Sequence, residues 1–62
     1  QTRFFERVSD TEIFTTDAFE IWDVYASELS WEPPPGIVAA APVGSDFVAT
    51  TDGAVLTLTK WR

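Results

Sequence analysis

No cysteine and no histidine occur in this chain of 62 residues. That absence limits its means of folding more than any other feature. A domain of this length buries only about 60% of the surface its unfolded chain exposes. Such domains rely on disulfides, a metal, association or very dense packing. Composition excludes disulfides, and a structural zinc site has neither thiolate nor imidazole to build on. Packing and association remain. The apolar share is 45%, with five Phe, three Trp and one Tyr. Each buried aromatic removes roughly 150–250 Å² from water, so this many rings are hard to hide in one small core. The surplus points to an interface, either with a second copy or with a larger partner.

Length allows a single small domain over residues 1–62. The chain starts at Gln1 and contains no Met, so it reads as a processed chain or a piece of a longer protein. No cationic segment with an apolar stretch behind it opens the sequence, as a signal peptide would. The lack of cysteine leans toward a reducing, cytoplasmic setting.

Charge is unevenly placed. Residues 8–59 hold Asp10, Glu12, Asp17, Glu20, Asp23, Glu28, Glu32, Asp46 and Asp52 and not one basic side chain. The cations Arg3, Arg7, Lys60 and Arg62 sit at the two ends. A net charge of −6 argues against direct nucleic-acid binding and against anionic membranes. Ile37 to Ala41 is the longest apolar run before a proline, far too short to span a bilayer.

Patterning predicts an α+β domain. Residues 3–8 read as a strand, with Phe4 and Val8 on one side and Phe5 on the other. Ser9-Asp10-Thr11-Glu12 is either a turn or a helix-opening capping box. The threonine pair at 15 and 16 favours the turn, and with it an N-terminal hairpin. Residues 17–29 predict an amphipathic helix, because Ala18, Ile21, Trp22, Tyr25 and Leu29 fall on one helical arc. Pro33-Pro34-Pro35-Gly36 ends it. Residues 36–43 read as a strand that Pro42 ends or places near a sheet edge.

Residues 47–61 predict a hairpin turning at Asp52-Gly53, with Thr51 opposite Ala54 and Ala49 opposite Leu56. Its apolar face, Phe47, Ala49, Leu56 and Leu58, is expected to meet the core. Its half-polar face, Val48, Thr50, Val55, Thr57, Thr59 and Trp61, is expected to meet water or a partner. The whole is then a hairpin, one helix and a three-stranded antiparallel sheet. The alternative is a small β-barrel with one helix.

Composition argues against an enzyme. Without His or Cys, the usual nucleophiles and near-neutral proton carriers are missing. No phosphate-binding glycine motif and no EF-hand loop occurs, so neither cofactor nor metal is expected. A non-catalytic accessory or structural subunit fits best, acting through protein contacts. Val48, Val55, Thr57 and Trp61, with Trp31 beside them, form the expected contact surface. The alternative is an acidic inhibitor. Asp17, Glu20 and Asp23 repeat every three residues, with Glu28 beyond, and on a helix would imitate a row of phosphates. The proline run beside Trp31 reads as a stiff connector rather than a docking peptide.

Overall fold

A computed structural model describes residues 4–62, and those residues form strands, turns and no helix. The strands are β1 (Phe5–Arg7), β2 (Glu12–Thr15), β3 (Ile21–Asp23), β4 (Glu28–Trp31), β5 (Ala39–Val43), β6 (Phe47–Thr51) and β7 (Leu56–Lys60). They build two antiparallel meanders, a four-stranded sheet β1-β2-β3-β4 and a three-stranded sheet β5-β6-β7. The architecture is a small β-sandwich. It overturns both the α+β expectation and the barrel with one helix. Arg3, counted in the expected first strand, lies outside the described residues.

The expected helix over 17–29 is instead a turn, a strand, a second turn and a strand. Two residues inside that window, Phe19 and Ser27, have φ of 59° and 54°. Left-handed backbone cannot continue a right-handed helix. Side chains hold both turns. Thr15 Oγ1 accepts from Glu20 N at 3.0 Å, and Thr15 N donates to Glu20 O at 2.8 Å. Asp23 Oδ1 accepts from Tyr25 N at 3.1 Å and Ala26 N at 3.0 Å. Asp and Thr offer the backbone such local partners in place of helical ones. Tyr25, expected in the core, is 81% exposed at the tip of the second turn.

The N-terminal hairpin uses the capping-box pair without a helix. Ser9 Oγ accepts from Glu12 N at 3.1 Å and donates to the Glu12 carboxylate at 2.7 Å. These bonds close the turn between β1 and β2.

A bulge in β4 decides where Trp31 goes. Ile21 pairs with Trp31 and Trp22 pairs with Leu29, so Ser30 is an extra residue. Leu29 and Trp31 would share a face in a regular strand. The bulge separates them, leaving Leu29 exposed and letting Trp31 pack on the core.

The core is small. Among the described residues the fully buried apolar side chains are Phe14, Ile21 and Val48, the first two from one sheet and the third from the other. Val8, Phe19, Trp31, Ala40 and Trp61 pack around them, and the Phe14 and Phe19 rings stack at 6.4 Å between centroids. Arg62 bolts the sheets together at one end. Its Nη2 lies 2.8 Å from Glu12 Oε1 and its Nε 3.0 Å from Asp46 Oδ1. Its guanidinium also stands 4.8 Å over the Trp61 ring.

The C-terminal hairpin forms with a different register. Ala49 pairs with Leu58 and Thr51 with Leu56, so residues 52–55 make a four-residue loop in place of the expected two. The carboxylate of Asp52 causes this, accepting from both Ala54 N and Val55 N at 2.9 Å. The shift of two residues preserves which side chains share a face. The burial of the two faces is nevertheless opposite to expectation. Val48 and Thr50 are buried, whereas Leu56 and Leu58 are exposed. Alternation identifies two faces but not which of them meets the other sheet.

Two outcomes check this architecture. Phe14→Ala should cost about 3–5 kcal/mol in chemical denaturation, enough to unfold so small a domain, while Tyr25→Ala should change stability by less than about 0.5 kcal/mol. Gly53 has φ of 99°, and a Cβ there would meet nothing closer than Val38 Cγ2 at 3.9 Å. Gly53→Val should therefore cost about 1–3 kcal/mol through backbone strain alone, read as a lowered denaturation midpoint.

Candidate interaction surface

The expected contact residues do not form one surface. Val48 is 0% exposed and belongs to the core. Trp31 and Trp61 are half-buried and pack against it. Trp61 Nε1 is buried with no hydrogen-bond partner among the described residues, and its ring packs against the core. Val55 and Thr57 are exposed and line an open concavity of about 410 Å³ with Pro34, Pro35 and Ile37. The proline connector thus forms one wall of that concavity.

The row of carboxylates expected on a helix face is absent because the helix is absent. Asp17 and Glu28 are exposed, whereas Glu20 and Asp23 are half-buried. Asp17 caps the backbone N–H of Ala18 at 2.9 Å, and Glu20 Oε1 accepts from the Trp22 indole N–H at 3.0 Å. Asp23 holds the turn after β3. A different acidic row appears across the first sheet, where Glu12 pairs with Asp23 and Asp23 with Glu28. Like charges in register are unfavourable, and Arg62 answers the charge of Glu12. Among the described residues no group of three or more ligating side chains could hold a metal ion. No helix among them is long and apolar enough to cross a membrane.

The unexpected feature is the outer face of β5-β6-β7. Register makes it a grid of three rows: Ala39, Thr51 and Leu56; Ala41, Ala49 and Leu58; Val43, Phe47 and Lys60. Only Thr51 and Lys60 are polar. Leu56 is 76% exposed, Leu58 60% and Val43 46%. A shallow hollow of about 210 Å³ opens among Ala39, Ala41, Ala49 and Leu56. The outer face of the first sheet is also partly apolar, with Arg7, Ile13, Trp22 and Leu29 in one row. Of the chain's aromatic side chains only Phe14 is fully buried.

Phe47, Ala49, Leu56 and Leu58 of this grid were legible in the sequence as one face of a hairpin. Their exposure runs against the expectation that the most apolar face meets the core. Comparison with protein-family models, with curated proteins and with solved structures returned no match.

The loop that carries β7 also makes a titration prediction. Hydrogen bonds from Ala54 N and Val55 N hold the Asp52 carboxyl below its ordinary pKa. A lowered folded value means that its stabilising contribution is complete above the unfolded pKa. It fades as the pH falls through the folded one. An NMR titration should find Asp52 ionising at lower pH than a free aspartate, and Asp52→Asn should remove that part of the acid sensitivity. An ordinary value would mean that the loop is not held this way.

Proposed function

We propose that the chain is a non-catalytic binding module, an accessory or structural subunit whose outer β5-β6-β7 face is covered by protein. The exposed apolar grid around Leu56 and Leu58 is the observation that carries this reading. Isolated exposed leucines are ordinary, but a contiguous face with two polar positions is a typical interaction surface. The absence of His and Cys adds support, since any chemistry would fall to carboxylates and hydroxyls. The concavity at Val55 and Thr57 is a second candidate contact.

The acidic-decoy alternative draws less support. Two of its four carboxylates are already engaged, Glu20 by an indole N–H and Asp23 by the backbone of a turn. What favours it is the net charge of −6.

Leu56→Glu with Leu58→Glu tests the reading without touching the core, since both side chains are exposed. The variant should keep its β spectrum by circular dichroism and lose association by at least about ten-fold, or 1.4 kcal/mol. Association should respond little to salt between about 50 and 500 mM, whereas a decoy's would collapse. Unchanged binding by the double variant would overturn the proposal.

A further inference from the structure

We infer that two copies of this chain join β7 to β7 and form one continuous six-stranded sheet across a two-fold axis. The inference goes beyond the reading above, which concerns the outer face, and assigns the open edge of β7.

The edges of the two sheets differ in how they are guarded. Trp61 N donates to Asp46 O at 2.9 Å, so position 61 aims its main chain at β6. Antiparallel alternation then aims positions 57 and 59 the same way and turns the N–H and C=O groups of Leu56, Leu58 and Lys60 outward. Those groups form an open ladder, because among the described residues β7 has no neighbour but β6. By the same alternation the outward positions of β5 are Ala40 and Pro42, since Ala39, Ala41 and Val43 share register with the positions of β6 that face β5. Pro42 has no N–H to offer, which blunts that edge. In the other sheet β4 is bulged and β1 is only 3 residues long. Strand β7 alone is 5 residues long with no proline and no bulge. It also carries exposed leucines that would pack across a joint.

A row of unpaired N–H and C=O groups is completed by another strand. The chain's own β7 fits this edge in both shape and charge. With the axis at Thr57, Leu56 of each copy lies opposite Leu58 of the other, and each such pair can exchange both main-chain bonds. Lys60 then lies opposite the partner's Ala54, beside its Asp52-Gly53 loop. Lys60 has no ion pair among the described residues, and Asp52 is exposed. Cation and anion therefore meet twice, once at each end of the joint. The axis stands perpendicular to the sheet, so both apolar outer faces end on the same side and merge.

Synthesis of the chain with an N-methyl group on Leu58 is the direct test. That group removes one outward donor and leaves every side chain in place. Sedimentation equilibrium of the natural chain should give twice the 6.9 kDa of one copy at high concentration. The N-methyl form should dimerise at least about ten-fold more weakly with an unchanged circular dichroism spectrum. Lys60→Pro, which installs on β7 the device that Pro42 supplies on β5, should do the same should the N-methyl form misfold. Lys60→Glu should weaken the dimer at low salt and less so at high salt. A natural chain that stays at the mass of one copy up to about millimolar concentration overturns the inference. So does a dimer that withstands both edge variants. Either result would leave the binding-module reading standing wherever Leu56→Glu with Leu58→Glu still abolishes capture by another protein.

Discussion

Everything in this molecule depends on one inter-sheet contact. Phe14 and Ile21 from the first sheet and Val48 from the second are the fully buried apolar side chains among the described residues. Burying each contributes roughly 1.5–3 kcal/mol. That is modest against the conformational entropy of ordering the chain. Half-buried groups therefore matter. Trp31 reaches the contact through a bulge, and Trp61 lies across it under the guanidinium of Arg62. Among the described residues Arg62 adds the one ion pair with a well-shielded partner, since the Glu12 side chain is 12% exposed. Pairs of that kind are worth more than freely solvated ones. The cost side includes the unpaired indole N–H of Trp61.

Much of the strand layout was legible in the sequence, and the failures have specific causes. Turn residues and β-formers marked the hairpins at both ends. The helix was misread because Ile21, Trp22, Tyr25 and Leu29 satisfy a helical period by coincidence. Their spacing also fits two short strands around a turn, and windows this short do not separate the two. The deciding signals were Asp23 and Thr15, whose side chains satisfy backbone groups locally. The hairpin register slipped because Asp-Gly was read as the centre of a two-residue turn, whereas Asp52 opens a longer loop as its cap.

The exposed apolar face was hidden for a different reason. Ranking faces by apolarity presumes that the internal core is the only apolar environment a strand meets. In β5-β6-β7 the richer face is the one turned outward. On the second sheet the exposed large apolar side chains include Leu56, Leu58, Val43 and Phe47, whereas Val48 is buried and Trp61 packs on the core.

The meander order has a kinetic meaning. Every strand pairs with its neighbour in sequence, so each sheet closes by short loops alone. Only the meeting of the sheets demands a distant encounter, the one that brings Arg62 to Glu12 across 50 positions of chain. Local pairing is fast and docking is the single costly closure. Amide protons within each meander would then exchange by opening of that sheet. The separation of the two sheets sets a different, shared rate for the side chains between them. A chain built this way is two local ribbons that become one protein at a single step.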